Sequence, residues 1–319
     1  MSKIVLSDEF KNIFQRNRKC IVNADIDGIL AGMFLQHFLN WRVVGYSSCC
    51  GKEDDELWLE DQEEHLVDCV FVDLPVIVKE YTVIDQHFVA FDMDSVDKYT
   101  SDTNKVNPNI MRKRIFSRGD GKSEYTSKYP FGTAHFVLAI LENMGIINSE
   151  FTLDISKKLG NFDLADLILR ADRVIGNTYQ YNPNCVDWAN WIIELGGKNT
   201  EALFVVVKKE YGKRILTEKE VEKKLISLGC KGVDGDCSNL FRTKDYDTLK
   251  GYFKFLSDSI NLRPLPINNL FDFGKLKGKR LFIVNSNVDV VKKEAEKDNI
   301  FSYAFVTMRA LSLTYLEEE

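Results

Sequence analysis

The chain has 319 residues, of which 45% are hydrophobic and 28% charged, and its formal net charge is −6. This composition is typical of a globular protein of about two domains, and it excludes the strongly basic footprint of many nucleic-acid binders. No run of 18 apolar residues occurs, which excludes a membrane-spanning helix of ordinary length. The polar N-terminal segment and the seven cysteines, which include no C-x-x-C pair, lead us to expect a cytoplasmic protein with free thiols.

The first part of the chain alternates short apolar runs with stretches of helical periodicity. Strands are predicted at 20–23, 42–46, 69–72 and 81–84, and a helix at 28–38. Strands separated by helices predict an α/β fold with a parallel sheet flanked by helices. In such sheets ligands bind beyond the carboxyl ends of the strands, so polar residues at those positions are candidates for a site.

The middle of the chain is predicted to complete the first domain, and the end of the chain predicts a second, smaller α/β unit. A helix is predicted at 132–144, whereas the polar stretch 94–128 is interpreted as a loop. Strands and a helix alternate again between 279 and 307. We therefore expect a first domain over residues 1–195 and a smaller one over residues 215–319.

Acidic, amide and imidazole side chains follow three of the predicted strands where those strands end. They are Asn23, Asp25 and Asp27 after the first strand, Asp73 after the third, and Asp85, Gln86 and His87 after the fourth. Neighbouring carboxylates repel one another, so they stay ionised together only when cations or hydrogen-bond donors neutralise them. Oxygen-rich sites suit Mg²⁺ or Mn²⁺, and two such ions about 3.5–4 Å apart can activate water and hold a phosphate. Asp73 is placed to bridge two metals.

Each residue also has a simpler interpretation. A D-x-D-G segment such as the one at 25–28 often forms a turn or a helix cap. Asp73 could end a strand, and His87 could be a hydrogen-bonded histidine of the interior. The order and spacing of the three segments together favour a shared site.

The combination resembles the DHH phosphoesterase superfamily over roughly residues 18–190. Asp25 and Asp27 resemble its first motif, and Asp73 resembles the lone aspartate of its second. The segment 85–87, Asp-Gln-His, stands where the Asp-His-His motif is expected. Asp172 is the best match to the fourth motif, and Asp163 and Asp166 are alternatives.

The resemblance implies a DHH-type catalytic domain that hydrolyses phosphodiester or phosphoanhydride bonds with two Mn²⁺ or Mg²⁺ ions. It implies metal ligation by four aspartates, and it implies that His87, with Asp85 as its catalytic neighbour, either contacts the substrate phosphate or helps to order the site. The four aspartates are Asp25, Asp27, Asp73 and Asp172.

Two departures from the family pattern weaken the expectation of activity. Asn23 offers only a neutral oxygen where RecJ-like nucleases have an aspartate, and Gln86 replaces a histidine that normally ligates metal. An amide oxygen is a weaker ligand for Mn²⁺ than imidazole. The C-terminal G-G-G-H segment of the family is also missing. A catalytically degenerate DHH-like binding or assembly module is therefore the alternative to an enzyme.

The expected substrate is single-stranded nucleic acid, as for a RecJ-like nuclease, or a small nucleotide. Arg112 and Arg114 belong to a basic stretch that could follow a phosphate backbone, and a solvated loop is the alternative. Arg309 is a further candidate for a phosphate contact. The sequence is also compatible with a homo-oligomer.

Overall fold

The computed structural model describes residues 4–48, 55–61, 63–100, 104–116, 127–147, 151–153, 158–159, 162–163, 183–210, 215–273, 276–283, 288–307 and 309–316. The chain divides into two compact units, each assembled from several stretches. The first unit comprises residues 1–18, 24–43 and 130–269, and the second comprises residues 19–23, 44–129 and 270–319. The predicted division into 1–195 and 215–319 follows chain order and stays a prediction about domains.

Eleven helices and twelve strands have bounds in the described part of the chain. The helices are α1 (Asp8–Ile13), α2 (Ile26–Leu39), α3 (Met93–Thr100), α4 (Pro108–Met111), α5 (Thr133–Asn143), α6 (Pro183–Leu195), α7 (Lys198–Glu210), α8 (Ile215–Ser227), α9 (Ser238–Arg242), α10 (Tyr246–Ile260) and α11 (Val288–Ala295). The strands are β1 (Lys19–Asn23), β2 (Arg42–Ser47), β3 (Leu57–Leu59), β4 (Cys69–Val72), β5 (Thr82–Ile84), β6 (Lys105–Val106), β7 (Lys158–Leu159), β8 (Phe162–Asp163), β9 (Phe271–Asp272), β10 (Leu276–Phe282), β11 (Ile300–Thr307) and β12 (Ala310–Leu316).

A seven-stranded sheet has the strand order β6-β5-β4-β1-β2-β3-β9. The pairs β1–β4, β4–β5 and β5–β6 are parallel, and β3 pairs antiparallel with both β2 and β9. The parallel strands are buried apolar runs, as expected when both faces of a sheet are covered. The predicted α/β class with a largely parallel sheet is confirmed.

The strand order reverses between β1 and β4. The chain runs from β1 to β2 and β3 on one side, and then places β4, β5 and β6 on the other. The carboxyl ends of β1 and β4 therefore meet at a topological switch point, where open α/β sheets commonly bind ligands.

The second unit also contains an antiparallel sheet with the order β10-β12-β11. Alternate residues of β12 enter two cores, because successive side chains of a strand point to opposite faces. Leu311 and Leu313 pack with the aromatic cluster around Phe91 and Phe305, while Leu316 packs against the core beneath the large sheet.

The interpretation of 94–128 as a loop was wrong for much of the described part of that stretch. It contains most of α3 and all of β6 and α4. Helix α4 begins at Pro108 after the N-cap Asn107, because the fixed φ of proline suits the first helical position.

The first unit is mainly helical. Helix α5 packs against α2, α6 and α7, and α10 packs against α2. Most residues of α2 and α5 are buried, which explains their long apolar runs. Across the described residues, no helix has the length and apolarity needed to cross a membrane.

Candidate metal centre

The carboxyl edge of the parallel strands brings three predicted site residues to neighbouring positions. Val22 pairs with Val72, and Val72 pairs with Ile84, in the registers of β1, β4 and β5. The next residue along each strand is Asn23, Asp73 or Asp85. Since parallel strands in register end at one edge, the polar side chains emerge side by side at the switch point.

Asp73 is held in an uncommon backbone conformation. Its φ is 61°, in the left-handed region, and its side chain is fully buried. Its amide donates to the carbonyl of Ile84 at 2.8 Å, which anchors it across to β5. Asn23 Nδ2 donates to Asp73 Oδ2 at 3.2 Å. Non-glycine residues in this conformation are concentrated at functional sites, because the surrounding structure must impose the strain.

Asp73, Asp85 and His87 form a compact cluster. One ligand atom from each lies within 4.8 Å of the others. His87 Nδ1 is 2.8 Å from Asp85 Oδ1 and 3.4 Å from Asp73 Oδ1. Neighbouring ligands of an octahedral ion with bonds near 2.1 Å are about 3 Å apart, so these separations suit a divalent cation. The cluster could hold a metal ion.

The same distances define a hydrogen-bonded state of His87. A carboxylate only accepts hydrogen bonds, so an Nδ1 that lies 2.8 Å from Asp85 carries the proton and donates it. When the ring is neutral, Nε2 is then its accepting nitrogen. The side chain of His87 is a quarter exposed, whereas both aspartates are buried. His87 is thus the member of the cluster that solvent or a ligand can reach.

Two asparagines fix the loop that carries Asp85 and His87. Asn107 Nδ2 donates to Asp85 Oδ2 at 3.4 Å and to the Phe88 carbonyl at 3.1 Å. Asn109 Nδ2 donates to the carbonyls of Gln86 and Phe88, at 2.8 and 3.1 Å. Both asparagines are buried. The sequence interpretation missed them, although an Asn before Pro108 is a typical N-cap signal.

Gln86 has a buried amide oxygen with no hydrogen-bond partner among the described residues. The residue is 3% exposed. An unsatisfied buried acceptor costs about 1–3 kcal/mol, so such a group calls for a donor or a cation. Its position between Asp85 and His87 makes it a candidate ligand of the same centre.

Asp25 and Asp27 belong to the first unit, where both have helix-capping roles. Asp25 is the N-cap of α2, and its Oδ1 accepts from the Gly28 amide at 3.0 Å. Asp27 is 2% exposed and caps α5 instead. Its Oδ2 accepts from the Thr133 amide at 2.6 Å and its Oδ1 from the Ala134 amide at 2.8 Å. A carboxylate there is favoured by the free amides and the positive end of the helix dipole.

Gly132 and His135 complete this cap. A Cβ at Gly132 would lie within 2.7 Å of three atoms of the Asp27 carboxylate, so only glycine allows the approach. The Gly132 amide donates to His135 Nδ1 at 3.2 Å. Burial lowers the pKa of His135 to about 4, outweighing that hydrogen bond. The ring is therefore neutral at pH 7.

The other predicted site residues are placed as follows. Arg112 and Arg114 follow α4 in the second unit and are partly buried. Arg309 is exposed in the turn between β11 and β12, and its amide donates to Thr307 Oγ1 at 3.0 Å. Asp163 ends β8 in the first unit, while Asp172 and Asp166 lie outside the described residues.

Comparisons with known proteins return no match: no protein-family model, no curated protein and no solved structure is significantly similar to this chain.

Proposed function

We propose that this protein is a divalent-metal-dependent phosphoesterase of the DHH type, which hydrolyses phosphodiester bonds of nucleic acid or of nucleotides. The observation that carries the proposal is the buried cluster of Asp73, Asp85 and His87 at the switch point of the sheet. A DHH-type catalytic domain with a smaller C-terminal substrate-binding domain is part of the proposal.

Charge balance favours a cation in this cluster. Asp73 and Asp85 carry two negative charges in the interior, and His87 supplies at most one positive charge. The hydrogen bonds from Asn23, the Phe88 amide and Asn107 are directed at these carboxylates but add no charge. Buried charges that are left unpaired are costly, so a divalent ion would stabilise the arrangement.

The donor set also suits Mn²⁺ or Mg²⁺ in kind. Carboxylate oxygens and one imidazole nitrogen are ligands of hard and borderline divalent ions. When bound, such an ion lowers the pKa of water and withdraws charge from a phosphate. Asp85 orients the His87 ring, and with Nδ1 donating to Asp85 the remaining Nε2 would either ligate the ion or exchange a proton or a hydrogen bond with a phosphate oxygen.

We also propose roles in metal ligation and phosphate contact for further residues. Asp25, Asp27 and Asp172 are proposed as further metal ligands, with Asn23 and Gln86 as weaker oxygen ligands. Arg112, Arg114 and Arg309 would contact the phosphates of a single strand or of a small nucleotide. Guanidinium groups form charge-assisted hydrogen bonds with phosphate, which suits such contacts.

The test is hydrolysis of bis-(p-nitrophenyl) phosphate as a function of Mn²⁺ concentration. Asp85→Asn should lower turnover by roughly 100-fold or more, since it removes a ligand charge and the partner of His87. Asp97→Asn, on the exposed surface of α3, is the matched control and should leave turnover unchanged. A single-stranded oligonucleotide and a dinucleotide, assayed in parallel, separate nuclease action from small-nucleotide hydrolysis. Equal turnover in Asp85→Asn and wild type would refute the assignment.

A specific observation favours the alternative of a degenerate binding module. Both oxygens of Asp27 already accept backbone amides at a helix N-terminus, where the local positive potential disfavours a cation. The replacement of a metal-ligating histidine by Gln86 also favours the degenerate binding module. Under this alternative the cluster binds Mn²⁺ but the wild type shows no metal-dependent hydrolysis of any of the three substrates.

A further inference from the structure

Two buried cysteines of the first unit, Cys230 and Cys237, flank the single antiparallel bridge of a short hairpin. Lys231 and Asp236 form an antiparallel bridge in which each amide donates to the other's carbonyl, at 2.7 and 3.2 Å. The turn between them contains Gly232 and Gly235, whose φ values of 60° and 67° suit glycine. In an antiparallel pair the residues flanking a hydrogen-bonded pair face each other directly. Those residues are Cys230 and Cys237.

In regular antiparallel geometry, the positions that flank such a bridge have a separation that a disulfide can span. The position next to a hydrogen-bonded pair is a non-hydrogen-bonded pair, with Cα atoms about 4.5 Å apart and side chains on the same face. Disulfides join Cα atoms that are roughly 4.4–6.8 Å apart. Both cysteines are free thiols in the structure, and both are buried.

We propose that Cys230 and Cys237 form a reversible intrachain disulfide that braces the N-terminus of α2. The hairpin is already hydrogen-bonded to this segment. The Cys237 amide and Sγ both donate to the Ala24 carbonyl, at 2.9 and 3.0 Å, and the Ile26 amide donates to the Asp234 carbonyl at 2.9 Å. The hairpin thus holds the backbone on either side of Asp25.

The oxidant is a low-molecular-weight disulfide such as oxidised glutathione. One cysteine thiolate attacks a sulfur of that disulfide, forms a mixed disulfide and releases one thiol. The second cysteine then attacks the mixed disulfide, forms the Cys230–Cys237 bond and releases the second thiol. The two cysteines lose two protons and two electrons, and the small disulfide is reduced to two thiols.

Burial makes this reaction slow in the folded protein. It raises the pKa of Cys230 to about 12, with Asp236 contributing, and it raises the pKa of Cys237 together with the neighbouring Cys230 and Asp236. Because only the thiolate reacts, exchange proceeds when the hairpin opens. A soft metal at the two thiols is disfavoured, since among the described residues no group of three ligand atoms within 4.8 Å of one another includes them.

The chain offers an internal control for the pairing. Cys20 and Cys69 lie on adjacent parallel strands, but Cys69 pairs with Lys19 and Cys20 pairs with Val70. Their side chains therefore point to opposite faces of the sheet and cannot be joined. A non-specific oxidation would affect cysteines without regard to this register.

The experiment is disulfide mapping of the full chain after two treatments with a glutathione redox buffer. In one the protein stays folded, and in the other it refolds from urea in the buffer, which removes the kinetic barrier of burial. Trypsin cleaves after Lys231, so the disulfide would join the peptide 225–231 to the peptide 232–242. We expect this linked pair after both treatments, more slowly in the folded protein, and its absence in Cys237→Ser.

Hydrogen exchange tests the bracing. The Ile26 amide should exchange roughly tenfold more slowly in the oxidised protein, because the closed hairpin opens less often. Recovery of Cys230 and Cys237 as free thiols or glutathione adducts after refolding would overturn the disulfide. Unchanged exchange at Ile26 in the linked protein would overturn the bracing. Neither measurement depends on phosphoesterase activity, so the proposed function can fail while this inference stands.

Discussion

Buried carboxylates occur in both compact units, but their surroundings differ. In the first unit, Asp27 accepts two backbone amides of α5, and Glu142 accepts the amides of Gly197, Asn199 and Thr200 at 3.0, 2.8 and 2.9 Å. In the second unit, Asp73 and Asp85 approach the same imidazole nitrogen, and their other donors include the Asn23 and Asn107 side chains, not only backbone amides of a helix N-terminus. The first arrangement neutralises an acid with helix N-termini, whereas the second leaves negative charge that a cation can offset.

This difference assigns opposite roles to acids that look alike in the sequence. A carboxylate surrounded by amides stabilises the fold and should be costly to replace. Carboxylates that face one another destabilise the metal-free protein and are retained for what they bind. Substitutions in the two units should therefore change stability in opposite directions.

The largest stability effect expected in the capped region is its dependence on pH. The pKa of His135 in the folded protein, about 4, lies below its ordinary value of 6.5. Above pH 6.5 the ring is neutral in both states and has no effect. As the pH falls from 6.5 to 4, His135 becomes protonated in the unfolded chain but stays neutral in the folded protein. The free energy of unfolding therefore falls by on the order of 3 kcal/mol.

His135→Asn keeps an acceptor for the Gly132 amide and cannot titrate in this range. Urea unfolding of the wild type and the variant at intervals between pH 7 and pH 4 measures the difference. We expect the variant to lose less stability on acidification. An equal loss of stability between pH 7 and pH 4 in both proteins would show that burial of His135 does not cause the loss.

Asp27→Asn should destabilise the protein by about 2 kcal/mol, because one amide of α5 would then face a donor instead of an acceptor. The urea midpoint measures the loss. Asp247→Asn is the matched control, since this aspartate also lies in the first turn of a helix but is exposed. Its stability should stay within about 0.5 kcal/mol of wild type. An equally small effect at Asp27 would remove the contrast between the two units.

Gln86→His should tighten Mn²⁺ binding roughly tenfold, because imidazole is a better ligand for this ion than an amide oxygen. The buried, unpartnered Gln86 oxygen marks the position where the new ligand would act. A Mn²⁺ titration of the variant gives the shift in midpoint. An unmoved midpoint would place Gln86 outside the centre.

Asp73→Asn should stabilise the metal-free protein by about 1 kcal/mol, the net of relieved repulsion and weakened hydrogen bonds. Asparagine tolerates the left-handed conformation at this position, so the backbone strain is unchanged. Thermal unfolding in the presence of a chelator measures the difference. A loss of stability as large as that of Asp27→Asn would mean that Asp73 is a structural residue.

The sequence predicted the part of the site that depends on local patterns. Short apolar runs predicted the positions of β1, β4 and β5. Because parallel strands end at one edge of a sheet, Asn23, Asp73 and Asp85 could be expected together at its carboxyl edge. Other features depend on partners far along the chain. Asp27 meets an amide 106 positions later in the sequence, and Asn107 meets an Asp85 oxygen from 22 positions away. No periodicity encodes such contacts.

Backbone conformation was the other feature that the residues did not reveal. Aspartate is compatible with a strand end, a cap or a left-handed turn, so the φ of 61° at Asp73 could not be predicted from its type. Helix α4 was hidden in a polar stretch, where its four residues are too few to show a helical period.

We propose that Asp73, Asp85 and His87 together bind a divalent cation. Isothermal titration calorimetry with Mn²⁺ on wild type, Asp85→Asn and the exposed control Asp97→Asn tests it directly. We expect saturable binding to wild type and to Asp97→Asn, and affinity at least roughly 100-fold weaker for Asp85→Asn. Equal affinity in all three proteins, or no binding by the wild type, would contradict it.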